Sequence, residues 1–383
     1  MPRVLLLFVF WFWLLVAVAF INLATALVSF RRKSLPALKK YPSVTIICRT
    51  WDDDHIVDRF IKGCLAQDYK GKLEIIIADD ASQDRTPEVV KKYKGKIIYV
   101  RAKKHHKWKA MFLNPIIKKH VKSEILINMD IDAVMPRDYV TKMVRSLQMY
   151  DAVSSACIGG NPWTMIAKIR IIEDIWAYCT GMAGREVLIK KSGIYGGSHA
   201  IWMKVLREVG YYGTKTMVED AELTVMLNER GYRTGFCDDV VVLLEDVETL
   251  KHYLNERKRW VYGPMEVAKA YNGFQLYNLI FLINILLSTT SLVSLVLSFF
   301  DPIFAIPLGM HLLTHILSLK RFRAEPRVYS WILLYIFLDP VLEALALLGI
   351  LKDSVFGKGV KWVKVSGNKY HMGDDLVPVF RRQ

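Results

Sequence analysis

Ile125-Leu126-Ile127-Asn128-Met129-Asp130-Ile131-Asp132 is the stretch that decides how this chain is read. Ile125–Met129 is a short, mainly apolar run of strand length, and two acids one residue apart follow it. Alternation along a strand puts Asp130 and Asp132 on the same side. Two carboxylates there are hard oxygen ligands for a divalent cation, and such a cation binds a diphosphate. The expectation is a metal site at Asp130 and Asp132, taking Mg²⁺ or Mn²⁺.

Upstream, the same grammar repeats. Val44–Cys48, Leu73–Ala78 and Ile97–Arg101 are short β-rich runs, and Asp53–Gln67, Thr86–Lys94 and Ala110–His120 read as helices between them. Alternating strands and helices predict an α/β fold with a mainly parallel sheet. Ligands of such sheets bind at the carboxyl ends of the strands, where the polar motifs sit. Asp79-Asp80-Ala81-Ser82 follows the second strand. Its side chains either cap the turn into the next helix or hydrogen-bond a base and ribose. Glu219-Asp220 opens a helical pattern. The pair either complements the helix dipole or supplies a carboxylate that deprotonates an attacking hydroxyl. Gly196-Gly197-Ser198-His199 reads as a loop whose glycines let a backbone approach a ligand. His199 there either meets an acceptor or a phosphate, or is a lone histidine in a turn.

The flanks are apolar. The chain of 383 residues is 52% hydrophobic, and the excess lies at the N-terminus and after residue 274. Val4–Val28 is long enough for a helix across a hydrocarbon core of ~30 Å. Arg31, Arg32 and Lys33 follow it and place the next domain in the cytosol. Four regions result: a transmembrane helix over 1–30, a cytosolic domain over 41–270, a membrane region over 274–351 and a basic cytosolic tail over 352–383. The membrane region holds Phe274–Phe300, Ile303–Leu319 and Trp331–Leu351, the last broken by Asp339-Pro340 and carrying Glu343. A cytosolic tail requires that one of the last two segments lie in the interface or re-enter. The net charge of +16 is dispersed or juxtamembrane, which suits lipid, and no nucleic-acid motif is present. Five scattered cysteines without a C-x-x-C pair argue against a disulfide framework or zinc site. Glu256-Arg257-Lys258-Arg259-Trp260 by itself reads as a juxtamembrane basic stretch with an interfacial tryptophan.

In this order and spacing the segments resemble the family 2 glycosyltransferases of GT-A fold, over roughly residues 41–265. Arg49-Thr50-Trp51-Asp52-Asp53 stands where the family has a tyrosine-asparagine-glutamate-like turn, and Trp51 keeps the aromatic. The resemblance implies that Trp51 stacks on the base and that Asp79 and Asp80 bind the nucleoside. Lys109-Ala110 with Asn114 is similar to the family's G-K-a-x-x-x-N segment, with Trp108 in place of the glycine, and implies that Lys109 contacts the donor phosphates. Asp130-Ile131-Asp132 matches the D-x-D metal motif, and Glu219-Asp220 matches the acidic pair whose Asp220 is the base. Glu256–Trp260 resembles the Q/R-x-x-R-W motif of membrane-embedded members such as hyaluronan, cellulose and poly-N-acetylglucosamine synthases and ceramide glucosyltransferases. Gly197, Ser198 and His199 resemble the acceptor-side loop. Trp362 with Gly367-Asn368-Lys369-Tyr370 is similar to the cytosolic tail of ceramide glucosyltransferases.

The resemblance implies an integral membrane enzyme, of the cell membrane, that moves a sugar with inversion from a nucleotide sugar, most often of uridine. The acceptor is a polysaccharide or is lipid-linked, and no nucleic acid is involved. Lys109 and Arg259 add positive charge at the phosphates, and Trp260 offers a flat face to the acceptor. Competing readings are a processive polysaccharide synthase, a single-addition glycolipid synthase, a polyprenyl-phosphate sugar synthase, and a membrane scaffold with a degenerate transferase domain. Asp80, Asp130, Asp132 and Asp220 together speak against the scaffold, because buried acids are costly without a match.

Overall fold

A computed structural model describes residues 2–31, 34–271, 294–355 and 379–380. Among them a seven-stranded sheet runs in the order β3-β2-β1-β4-β6-β5-β7. Its first four strands are β1 (Val44–Thr50), β2 (Leu73–Asp79), β3 (Ile98–Arg101) and β4 (Ile125–Met129). They pair in parallel. All five residues of β4 are buried and β1 is nearly so, the mark of a sheet covered on both faces. Helices α2 (Val57–Leu65), α3 (Thr86–Lys91) and α4 (Lys109–His120) connect them. The expected α/β class with a mainly parallel sheet is therefore what the chain forms.

Two local differences have clear causes. The helix expected from Asp53 starts only at Val57. Asp53 instead accepts from Thr50 Oγ1 at 3.0 Å and Trp51 N at 2.8 Å, and its own N–H donates to Thr86 Oγ1 at 2.9 Å. These bonds hold a turn rather than a first helical residue. The segment expected as an acceptor loop runs directly into a strand, β6 (Ser198–Trp202), wedged antiparallel between β4 and β5 (Ala152–Gly159). β7 (Thr234–Leu244) closes the sheet parallel to β5. Between them lie α5 (Tyr139–Ser146), α6 (Met165–Ala177), a π-helical segment Tyr178–Gly184, α7 (Arg185–Ile189), α8 (Met203–Val209) and α9 (Glu219–Glu229). α10 (Leu250–Ala270) follows β7.

Three helices are long and apolar enough to cross a membrane by length and composition, over Val9–Val28, Pro302–Arg321 and Pro326–Ile350. They overlap α1 (Pro2–Val28), α11 (Ala305–Arg321) and α12 (Trp331–Val355). The expected break at Asp339-Pro340 is absent, and α12 continues through Pro340. Asp339 and Glu343 are instead engaged by α10: Tyr253 Oη donates to Asp339 Oδ1 at 3.0 Å, and Arg257 Nη1 lies 2.9 Å from Glu343 Oε1. Most of Phe274–Phe300, with Trp362 and residues 367–370, lies outside the described residues.

Candidate active site at the strand ends

Lys109, the first residue of α4, ties two acidic motifs together. Its Nζ is 2.7 Å from Asp130 Oδ1 and 3.6 Å from Glu219 Oε1. Burial pulls the lysine pKa down, but the charges of Asp130 and Glu219 outweigh it and hold the ammonium well above its usual value. The Asp130 side chain is 44% exposed, so the pair is open to a ligand. Glu219 and Asp220 start α9, as the sequence indicated. Asp220 Oδ2 accepts from Gly196 N at 2.7 Å and Oδ1 from Ala221 N at 2.8 Å. Burial raises the Asp220 pKa and these backbone donors partly offset it. A Cβ at Gly196 would stand 3.1 Å from Asp220 Oδ2, so glycine there sets how closely the acid approaches the chain. Gly197 O accepts from Asp130 N at 3.1 Å and joins the same assembly.

Asp130 and Asp132 come together by a turn rather than by strand alternation: β4 stops at Met129, and Ala133 N donates to Asp130 O at 3.2 Å. Glu245, just past β7, joins them, a residue the sequence did not single out. Arg59 Nη2 donates to Asp132 O at 3.1 Å and to Glu245 Oε1 at 2.9 Å. Burial, then Asp130, then Glu245 push the Asp132 carboxyl up to about 8. Arg59 opposes that rise only in part. Among the described residues no group of three or more His, Cys, Asp or Glu side chains has metal-binding geometry. Two carboxylates completed by substrate phosphates are nevertheless a common donor set for Mg²⁺-like ions, so Asp130 and Asp132 fit one.

The nucleoside-side residues are gathered differently. The Trp51 ring lies tilted against that of His105, with centroids 4.0 Å apart and planes at 34°. Asp79 and Asp80 are fully buried. Asp79 accepts from Ser82 N at 2.8 Å and faces Arg101 Nε at 3.3 Å, while Asp80 accepts from Arg49 Nε at 2.9 Å and pairs with His106 Nδ1 at 2.6 Å. Both acids thus shape the loops Asp80–Ser82 and 102–108. Arg49, His105 and His106 are the residues that sequence reading missed. A basic loop of two lysines, two histidines and a lysine, Lys103–Lys107, was the available signal.

Two expected acceptor contacts need correction. His199 is fully buried in β6, with Nδ1 on Tyr195 O and Nε2 on Tyr212 Oη, both at 2.8 Å. Burial pulls its pKa down to about 4, so it is a neutral core histidine. Ser198 is fully buried between Tyr139 Oη at 2.6 Å and Ser155 Oγ at 2.7 Å. Both side chains are enclosed by the core, with their polar atoms bonded to protein partners.

On α10, Arg257 is not a solvated basic residue. It is buried and ion-paired with Glu173 of α6 and Glu343 of α12. Trp260 lies against Arg170, whose guanidinium carbon is 4.4 Å from the ring centroid. Arg170 also meets Glu173, Asp174, Asp246 and Glu256 at 2.6, 2.9, 3.4 and 3.3 Å. Arg259 stays more open, 3.7 Å from Glu256.

Comparison with known proteins places the site in context. Residues 44–210 match the family described as Glycosyl transferase family 2. A Bacillus subtilis (strain 168) protein described as probable glycosyltransferase YdaM is 24% identical over 242 residues, 60% of this chain and 57% of that one. The poly-beta-1,6-N-acetyl-D-glucosamine synthase of Staphylococcus aureus (strain COL) is 27% identical over 232 residues, 58% of this chain and 55% of that one. The chain thus spans a little over half the length of these relatives. Among solved structures, mannosyltransferase PcManGT from Pyrobaculum calidifontis, in complex with GDP-Man and Mn²⁺, superposes with a TM-score of 0.56 at 18% identity, covering 90% of this chain and all of that one. That likeness shows the fold.

Proposed function

Residues 44–210 form a family 2 glycosyltransferase domain, and from that premise we propose that the chain is a membrane-bound, metal-dependent inverting glycosyltransferase. It moves a sugar from a nucleotide sugar, a UDP-sugar in our reading, to a polysaccharide or lipid-linked acceptor. The observation that carries this is the Lys109 ammonium, 2.7 Å from Asp130 and 3.6 Å from Glu219. One cation joins the strand end suited to a metal–diphosphate with the helix start suited to a base.

Each residue then has a role. Asp130 and Asp132 hold a divalent cation, whose Lewis-acid charge would offset that of a leaving diphosphate. Lys109 adds a positive charge at the same place, and Arg259 supplies another from α10. Trp51 offers its ring to the base, with Asp79 and Asp80 holding the surrounding loops. Asp220 takes the proton of the acceptor hydroxyl. Its backbone bonds from Gly196 and Ala221 fix its orientation, and its raised pKa makes it a better base than an exposed carboxylate. Glu219 keeps Lys109 placed between the two motifs. Trp260 and the Gly197 turn border the acceptor. The basic run after α1 supports a cytosolic catalytic domain in the cell membrane. The similarity to a poly-N-acetylglucosamine synthase supports a polymeric acceptor.

The test uses the full chain in lipid with a panel of radiolabelled nucleotide sugars and Mn²⁺, followed by sizing of the product. A ladder supports a polymerase, and a single organic-soluble product supports a glycolipid synthase. Asp220→Asn should lose about 10²–10⁴-fold in transfer rate, the range for loss of a general base, and a chelator should stop transfer. Full activity in Asp220→Asn or in chelator sinks the corresponding assignment.

A further inference from the structure

α12 has the length of a membrane span, yet its contacts place it elsewhere. Leu333, Phe337, Val341, Leu345 and Leu348 form one outward apolar stripe, 43–62% exposed. The opposite face runs side by side with α10 and in the same direction. Asp339 pairs with Tyr253, Glu343 with Arg257, and Ile350 packs on Val261. A Cβ on Gly349 would meet Lys258 Cε at 2.5 Å, so the two helices are closely apposed there. Nearer its start, Trp331 lies under Lys168 of α6, 5.6 Å from ring centroid to Nζ.

α10 itself is barred from hydrocarbon. It carries Lys251, Glu256, Arg257, Lys258, Arg259, Glu266 and Lys269 within 21 residues, and a charge at a bilayer centre costs at least ~2.5 kcal/mol. A helix laid along α10 from Asp339 to Ile350 is held out of the hydrocarbon with it. The contrast is with α1 and α11, which pack on each other in parallel. Phe12 and Phe304 meet at 5.2 Å at one end, and Arg321 Nε donates to Ser29 O at 2.8 Å at the other.

We propose that α12 does not cross the membrane but lies in the interface beneath α10, its Leu333–Leu348 stripe facing the acyl chains, so that Lys352 at its end stands on the same side of the membrane as the sheet domain. The occupant of the stripe is the lipid bilayer that α1 and α11 enter, with which the stripe is continuous through the short 322–330 connection. Arg323, Arg327 and Lys352 stand near the two ends of the stripe and suit anionic headgroups. The end of the tail agrees: Glu325 N donates to Val379 O at 2.9 Å, and Ala324 bridges Phe380, both at the connection preceding α12. This placement rests on the membrane attachment proposed above.

The test is sidedness in sealed vesicles of the full chain, read with a membrane-impermeant thiol reagent. The five native cysteines are buried, and single cysteines are placed at the exposed positions Lys91, Asp301 and Lys352. Lys352→Cys should label from the same side as Lys91→Cys and opposite to Asp301→Cys. Labelling of Lys352→Cys together with Asp301→Cys overturns the placement. If Lys352→Cys misfolds, nitroxides at Leu333→Cys and Val341→Cys on the exposed stripe decide instead: equal depth at the two positions, read as the ratio of relaxation by oxygen to relaxation by an aqueous nickel complex, supports the interface, and a much deeper Val341→Cys overturns it. A chain released by alkaline carbonate overturns the attachment itself, whereas a retained chain with the wrong sidedness overturns only the placement of α12.

Discussion

Asp174 is the side chain at which burial and charge compete most openly. Burial raises its pKa, Arg170 opposes that, and Glu256 adds to it, so the carboxyl is pushed up to about 6. The groups facing it are Arg170 of α6, Asp246 after β7 and Glu256 of α10, and the Asp246 carboxyl is likewise raised by burial. An unfolded aspartate releases its proton near ~3.9. Between about 4 and 6 the folded chain therefore binds the proton that the unfolded chain has lost, and stability must fall as pH rises through that window. Melting curves of wild type and Asp174→Asn in one detergent should diverge there, with the variant flatter, and parallel curves would remove the claim. None of this cluster was legible in the sequence, because Arg170, Asp246 and Glu256 meet only through tertiary packing. Asp130, Lys109, Glu219 and Asp220 were legible for the opposite reason: each sits at a strand end or helix start, where a polar residue after or before an apolar run has a local meaning. His199 misled because a residue type in a turn-like sequence does not reveal which way a strand will face it.

At the scale of elements, the π-helical segment Tyr178–Gly184 is where the sheet domain grips α1. A Cβ on Gly184 would fall 2.2 Å from the Thr25 carbonyl oxygen, a backbone atom that cannot swing aside. A Cβ on Gly181, three residues earlier, meets nothing within 4 Å. Gly184→Ala should cost about 1–3 kcal/mol as an overpacking change. Gly181→Ala should be neutral or stabilising by up to ~1 kcal/mol, from helix propensity. Thermal melts of the two variants compare identical chemistry in two surroundings, and equal melting temperatures would deny the contact. Elements with uniform apolar character, such as β4 and α1, could be read from sequence to within a residue or two. β7 was hidden because Asp238-Asp239 resembles a turn. The pair in fact sits at a register shift against β5, between Cys237 and Val241, where Asp238 pairs with Arg321 of α11. α12 was misread at Asp339-Pro340 because partners on another helix, not local propensity, keep it continuous.

For the whole molecule, the question is what fastens the apolar helices to the seven-stranded sheet domain. Two buried arginines do so from opposite directions. Arg321 reaches from α11 to Asp238 and to the end of α1, while Arg257 reaches from α10 to Glu173, Glu343 and Asp339. Burial lowers the Arg257 pKa from its ordinary value, with Glu343 and Asp339 opposing, so the guanidinium is worth holding charged only because carboxylates surround it. Such a cluster adds little net stability when intact, since desolvation offsets most of the attraction. Removing one partner is a different matter, because the remaining charges stay buried and unmatched. Arg257→Met should therefore cost about 3–5 kcal/mol, loosening α12 from α10 before the sheet unfolds. Hydrogen exchange in detergent should show earlier loss of protection over Asp339–Ile350 than over β4. Adding Glu343→Gln to Arg257→Met should restore part of the loss, since it removes one stranded charge. If the single variant melts with wild type, or if the double variant is no better than the single, the cluster is not the fastening and α12 is held by its apolar contacts alone.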